Sequence, residues 1–230
     1  MLAAMPPAMF AVLVPDLKEK AFEQGSILQE ASEPIERIFF PQSGMISLLV
    51  VTQDGSGIEA ATIGREGSAG LQSGLGTRKA FTRAVTQVAG TFSYIAAERF
   101  RAAVEKSSAM KDIIMRYTEL ILAETQQISA CNARHHAEAR LSRWLLQTRD
   151  RIESDTLPLT QELLSEMLGV RRTTVTLVAR ALQTAGLIKY RRGSIHIRDI
   201  EGLKNAACEC YAATKQEDLP PRLGIELPKR

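Results

Sequence analysis

The chain has 230 residues, 45% hydrophobic and 24% charged, and no apolar run approaching the length of a membrane span, so it reads as a globular protein with a real core rather than a disordered or membrane-spanning one. Its net charge of +3 is uneven: residues 134–198 hold twelve Lys and Arg against six Asp and Glu, putting +6 there and −3 on the rest, a split that favours nucleic acid over a membrane as partner. Three cysteines, Cys131, Cys208 and Cys210, make no disulfide framework in a chain this long, and a reducing cytoplasm is the expected location.

Taken in order, the start MLAAMPPAMFAVLV carries two prolines and no basic flank, which is not a signal-peptide pattern. A short amphipathic helix is predicted over residues 13–22. Strand patterns follow at 26–30, 38–40 and 45–52. Asp54-Gly55 marks a hairpin returning through 58–63, and 82–88 and 91–96 add two strands. Several short strands with Gly-rich turns suggest a small β-barrel or roll. Five glycines, Gly64, Gly67, Gly70, Gly74 and Gly76, sit in one loop. Such a loop can turn its N–H groups toward an anion, but spacing alone favours a flexible connection, and no Gly-Lys-Ser/Thr follows.

Beyond residue 97 the pattern turns helical. A short helix over 97–104 leads to a long one over about 109–135. Positions 114, 117, 121, 124, 128, 131 and 135 carry Ile, Tyr, Ile, Glu, Ile, Cys and His. Ile114, Tyr117, Ile121, Ile128 and Cys131 are therefore the expected dimer seam. The competing reading, a helix packed on its own domain, gains some support from Glu124. Another helix is expected over 140–152, with Leu141, Trp144, Leu145 and Ile152 on or near one face. The tail from Glu217 holds Pro220, Pro221 and Pro228 and is expected to be loosely ordered.

The segment 159–198 reads LTQELLSEMLGVRRTTVTLVARALQTAGLIKYRRGSIHIR. Thr160 suits the N-cap of a helix over 161–168, buried through Leu163, Leu164, Met167 and Leu168. Gly169 permits a tight turn. A second helix over about 172–184 turns Val175, Val178, Ala179 and Leu182 inward, leaving Arg172, Thr173, Thr176 and Arg180 outside. Residues 187–190 and 194–198 read as strands around Arg191-Arg192-Gly193, a basic wing. Between Arg171 and Arg198 lie Arg171, Arg172, Arg180, Lys189, Arg191, Arg192 and Arg198 and no acid, the footprint of a phosphate-facing surface. The predicted DNA contacts are Arg171, Arg172, Thr173, Thr174, Thr176, Arg180, Lys189, Arg191 and Arg192. Arg172 and Thr173 are expected to read bases, with Thr176 nearby, while Arg191 and Arg192 meet phosphates.

Ile27-Leu28, the strand array, the long helix and above all the run through Leu159–Ile188 with its Gly-centred wing resemble the Crp/Fnr family of bacterial transcription regulators, over about residues 20–200. The resemblance implies an α+β fold. A jelly-roll-like antiparallel β-barrel sensor of the cyclic-nucleotide-binding type would span 1–108 and a dimerisation helix 109–136. A winged helix-turn-helix would span 137–205, ahead of a tail over 206–230. It further implies a homodimer on a two-fold site in double-stranded DNA, and contact with RNA polymerase.

The family's recognition helix often begins Ser-Arg-Glu-Thr-Val. Here Arg171-Arg-Thr-Thr-Val175 keeps the base-reading arginine as Arg172 but replaces the acidic reader with Thr173. Leu177 stands where cyclic-AMP regulators have a second arginine, so a different half-site is expected. Cyclic-AMP binders use Gly-Glu-Leu for the ribose and Arg-Ser or Arg-Thr for the phosphate. Here Gly67-Ser-Ala-Gly-Leu71 lacks the glutamate, and Phe81-Thr-Arg-Ala84 has its arginine shifted by one. Gly67, Ser68, Ala69, Gly70, Leu71 and Arg83 are the candidate ligand-binding residues, for an unidentified small-molecule effector other than cyclic AMP. The N-terminal cysteines that hold an iron–sulfur cluster in oxygen-sensing members are missing, which argues against that cofactor. A small ligand, a thiol change and constitutive activity all stay open as modes of control.

Cys208-Glu-Cys210 could bind a soft metal or form a redox pair. Two ligands are too few for a closed zinc site, and seam packing accounts for Cys131 and His135, so no metal ligand is assigned. Ser108-Ala-Met-Lys111 fits Ser-x-x-Lys without its partner motifs, and no hydrolase elbow or His-Glu-x-x-His occurs. No enzyme is expected. The alternative is a ligand-binding or protein-interaction module whose helix-turn-helix only packs; the acid-free basic run speaks against it.

Overall fold

A computed structural model describes residues 1–2, 5, 7–191 and 193–214. The expectations for Arg192 and for the proline-containing tail fall outside the described residues. The chain forms two compact units. Among the described residues, one holds Met1–Leu48 and Thr62–Ala123; the other holds Leu49–Ala61 and the chain from Glu124 onward. Among the described residues, no helix is long and apolar enough to cross a membrane.

The first unit opens with helix α1 (Pro7–Leu13) and strand β1 (Lys18–Phe22). The helix predicted over 13–22 is thus corrected. Lys18–Phe22 pairs antiparallel with β7 (Gly90–Ala96), from Lys18 opposite Tyr94 to Phe22 opposite Gly90. The tertiary partner decides: the strand directs Phe22 onto Phe92, ring centroids 5.3 Å apart, while its charged residues stay exposed. β3 (Arg37–Pro41) pairs with the other edge of β7, giving the order β1-β7-β3. A second sheet runs β2 (Ile27–Gln29), β6 (Arg83–Val88), β4 (Met45–Val51), β5 (Gly57–Ile63); Leu49–Val51 of β4 and Gly57–Ala61 of β5 count with the second unit. The predicted strands are present, and the expected roll takes the form of two sheets that do not close into one.

The three apolar residues of β3 show how the unit is filled. Successive side chains of a strand point to opposite faces. Ile38 and Phe40 enter a core with Leu71, Phe100 and Val104, while Phe39 enters another with Ile46, Ile63 and Phe92. Gly90 is required by a close crossing, since a Cβ there would lie 2.2 Å from the Ser43 carbonyl oxygen.

Helices α2 (Ala97–Glu105) and α3 (Ser108–Arg134) follow. The expected dimer seam on α3 is corrected. Ile114 and Tyr117 are buried in the first unit's own core beside Met110, Ile113 and Phe100, and Ile121 packs against it half-buried. Ile128 is buried too, and Cys131 is enclosed with Cys208 and Cys210. Ile114, Tyr117, Ile128 and Cys131 are thus covered within one chain, and only Ile121 of the five keeps a partly open side. A helical repeat reports that a face is buried, not what covers it. The large apolar residues that α3 exposes are Met115, at 57%, and Leu122, at 56%.

The second unit contains α4 (Ala137–Ile152), β8 (Thr156–Leu157), α5 (Gln161–Leu168), α6 (Arg172–Thr184), β9 (Ile188–Arg191), β10 (Ser194–Ile197), α7 (Ile200–Ala206) and α8 (Cys210–Ala213). The three strands form a sheet in the order β8-β10-β9. α4 supplies the buried Leu141, Trp144, Leu145 and Leu146, and α6 and α7 pack on it. The Trp144 indole donates to Glu59 Oε1 at 2.6 Å. Arg151 and Glu124, both nearly buried, pair at 3.2 Å.

Candidate nucleic-acid interface

Local chemistry sets the two helices of the turn motif. The Thr160 hydroxyl accepts from Leu163 N at 3.2 Å, capping α5. Gly169 ends it in the left-handed region, φ 60°, which costs a glycine nothing. Val170 and Arg171 complete the turn, and α6 begins at Arg172. Val175, Ala179 and Leu182 are buried at helical spacing and Val178 is half-buried. This fixes which side of α6 faces out. Arg171, Arg172, Thr173, Leu177 and Arg180 are exposed, and Thr174 and Thr176 are intermediate. Thr176 donates its hydroxyl back to the Arg172 carbonyl at 3.0 Å.

The wing is an antiparallel hairpin with Ser194 opposite Arg191 and Ile197 opposite Ile188. Ile188, Ile195 and Ile197 point inward, whereas Lys189, Arg191 and Arg198 are exposed. Gln183 Oε1 accepts from Tyr190 N at 2.8 Å, tying α6 to the hairpin. Among the described residues, the cationic side chains predicted from sequence therefore lie on the outer sides of one helix and one hairpin. Among the described residues of this group, only Arg172 forms an ion pair, with Glu162 of α5. Glu162 is a feature that sequence reading missed: it lies outside the acid-free run, ten residues before its partner.

The glycine loop in the first unit has a different character. Gly67, Ser68, Ala69, Gly70 and Leu71 are buried. Gly67 N donates to the Gly64 carbonyl at 3.1 Å, and Ala69 exchanges backbone hydrogen bonds with Phe39 at 2.9 and 3.0 Å. Ser68 N donates to the Tyr117 hydroxyl, which donates in turn to the Ser68 carbonyl, both at 2.9 Å. These N–H groups have protein acceptors, so they form no anion cradle. Arg83, at the start of β6, pairs with Glu30 at 2.8 Å.

Two family models match the chain: the cyclic nucleotide-binding domain over residues 19–107 and the Crp-like helix-turn-helix domain over residues 139–206. FixK2 from Bradyrhizobium japonicum is 16% identical, with 84% of this chain and 98% of that one covered and a TM-score of 0.71. A Crp/Fnr-family transcriptional regulator from Thermus thermophilus is 19% identical, with 83% and 98% covered and a TM-score of 0.68. The cyclic-di-GMP-responsive global regulator CLP from Xanthomonas campestris is 15% identical, with 84% and 99% covered and a TM-score of 0.67. No curated protein sequence matches the chain. A cyclic-nucleotide-binding-type domain ahead of a winged helix-turn-helix defines a DNA-binding transcription regulator, not an enzyme. The chain belongs to the Crp/Fnr family.

Proposed function

We propose that the protein acts as a homodimer, reads a two-fold site in double-stranded DNA through α6, and answers to an effector other than cyclic AMP. The observation that carries the DNA reading is the exposed, acid-free cationic surface of α6 and the β9–β10 hairpin. In this reading Arg172 recognises guanine through O6 and N7, with Thr173 and Thr176 beside it. Leu177, 68% exposed on the same side, offers an apolar contact to a thymine methyl. Arg171, Thr174, Arg180, Lys189, Arg191 and Arg192 meet the backbone, fixing register without reading sequence.

Met115 and Leu122 occupy equivalent positions seven residues apart on α3 and are open to solvent, which suits the same helix of a second copy. A pair of recognition helices then meets half-sites about 34 Å apart. Contact with RNA polymerase follows the family's mode of action. Against cyclic AMP stand the engaged N–H groups of Gly67, Ser68 and Ala69, the Arg83–Glu30 pair and the missing glutamate. The Ser68 and Thr86 hydroxyls and the Gln87 amide are buried without hydrogen-bond partners. Such groups favour a polar effector that satisfies them.

Binding to duplex DNA across a salt series tests this reading. Log affinity should fall linearly with log salt, by about 0.9 per phosphate contacted. Arg172→Ala should relax discrimination at one base pair per half-site by ~1–3 kcal/mol, and Arg191→Ala should weaken all sequences alike and lower the salt slope by about 1. Leu122→Glu should yield a monomer in sedimentation. No binding at low salt rejects the DNA reading; a dimer that persists in Leu122→Glu rejects the α3 interface.

A further inference from the structure

Cys131 and His135 lie one turn apart at the end of α3, while Cys208 precedes and Cys210 begins α8. The fold of the second unit brings the two pairs together. Sγ of Cys131 lies 3.5 Å from Sγ of Cys208, and Nδ1 of His135 lies 3.7 Å from Sγ of Cys210. One donor atom from each of the four residues falls within 4.8 Å of all the others. The three thiols are free and buried.

We propose that Cys131, His135, Cys208 and Cys210 form a closed tetrahedral site for one thiophilic divalent cation, with zinc as the fitting ion. Zinc bonds of ~2.3 Å to sulfur and ~2.0 Å to nitrogen set ligand atoms roughly 3.5–3.8 Å apart in a tetrahedron. The observed 3.5 and 3.7 Å separations already meet that spacing. A four-iron cluster would hold its thiolates around a larger body, so the compact set selects a single ion. Three thiolates with one imidazole also make one of the ordinary closed zinc sets.

The surroundings fit independently. Glu209 Oε1 lies 3.2 Å from His135 Nε2. That carboxylate holds the Nε2 proton and leaves the Nδ1 lone pair facing the sulfurs, the orienting arrangement common behind metal-bound histidines. Gln127 Nε2 donates to Cys210 Sγ at 3.0 Å. Arg140 and Arg143 are buried, each with an Nε that has no hydrogen-bond partner, and both interact electrostatically with Cys131. Loading takes up M²⁺, three thiols and a neutral imidazole, and releases three protons to solvent. The resulting centre has charge −1, which the two guanidiniums offset. No oxidation or reduction is involved. The ion ties the end of α3 to α8, cross-linking segments more than seventy residues apart in sequence.

The test uses reduced, full-length protein purified without chelator. Metal content is measured by elemental mass spectrometry, and the apo protein is titrated with cobalt(II), then zinc. One cation per chain is expected, with the thiolate charge-transfer and intense d–d bands of tetrahedral cobalt, bleached by one equivalent of zinc. Glu209→Ala and Gln127→Ala, which leave all four ligands in place, should each lower cobalt affinity about 10–100-fold. Cys208→Ser and Cys210→Ser should lower it further, with circular dichroism confirming that each variant is folded. The proposal is overturned by wild-type protein that binds no stoichiometric cobalt, or by a cobalt spectrum unchanged in all four variants. Acid-labile sulfide with iron in the purified protein, or a Cys131–Cys208 disulfide after anaerobic purification, would overturn it equally.

Discussion

Arg172, the first residue of α6, is ion-paired to Glu162 in the first turn of α5. Both side chains are largely exposed, 60% and 73%, so the pair contributes at most ~1 kcal/mol. Arg172 must leave it to reach a base. Glu162→Gln removes the competitor and a negative charge beside the phosphate-facing surface. DNA affinity should rise several-fold at low salt, and the gain should shrink as salt screens it. Fluorescence anisotropy at two salt concentrations measures both effects. A fall in affinity would instead mean that Glu162 holds Arg172 in its reading pose.

Leu177 gives a prediction of a different kind, because it carries no charge. Leu177→Ala should leave the salt slope unchanged and weaken the preference for thymine at one position in each half-site. The cost should fall below the ~1–3 kcal/mol of a bidentate base contact. Selection from a randomised operator library reads this directly; an unchanged base preference there would place Leu177 away from the bases.

The Tyr117 hydroxyl serves both backbone groups of Ser68. Tyr117→Phe leaves a buried N–H and a buried carbonyl without this partner, at about 1–3 kcal/mol for each group left unsatisfied. Gly67→Ala attacks the same contact from the other side, since its Cβ would lie 2.6 Å from the Tyr117 hydroxyl; overpacking of this kind costs about 1–3 kcal/mol. Urea unfolding should show both variants destabilised. Their combined effect should be less than additive, because they disturb one contact.

Trp144 and Glu59 form the corresponding polar contact in the second unit, at 2.6 Å with both residues buried. Trp144→Phe keeps most of the ring volume but withdraws the indole N–H from a buried carboxylate. A loss of about 1.5–3 kcal/mol is expected, the range for hydrogen bonds to charged groups. The unfolding midpoint of the variant tests it; a midpoint equal to wild type would show that the other contacts of Glu59 suffice.

The turn motif is legible in the sequence because its signals are local. The Thr160 cap, the left-handed Gly169 and the Val175–Ala179–Leu182 spacing lie within a few turns of one another, and the helices fall at the predicted bounds. The strands ahead of α2 are legible for a related reason: alternation and turn residues mark them one at a time. Their division into two sheets is not, because pairing joins residues far apart, as Lys18 joins Tyr94. β1 was hidden in a helix-like pattern for the same reason, since only β7 gives it a partner.

By itself the sequence determined where the charge lies, which residues turn inward on α5 and α6, and that a basic hairpin follows them. Those properties depend on side-chain type and short spacing. Tertiary structure alone decided what covers each buried face. It placed Ile114 and Tyr117 in their own unit's core rather than at a dimer seam, and gave the N–H groups of Gly67, Ser68 and Ala69 to protein acceptors. It also joined Cys131 and His135 to Cys208 and Cys210. The physical reason is common to all three: a periodic pattern records that a side chain avoids water, while its partner is chosen by chain segments that meet only when the whole fold closes.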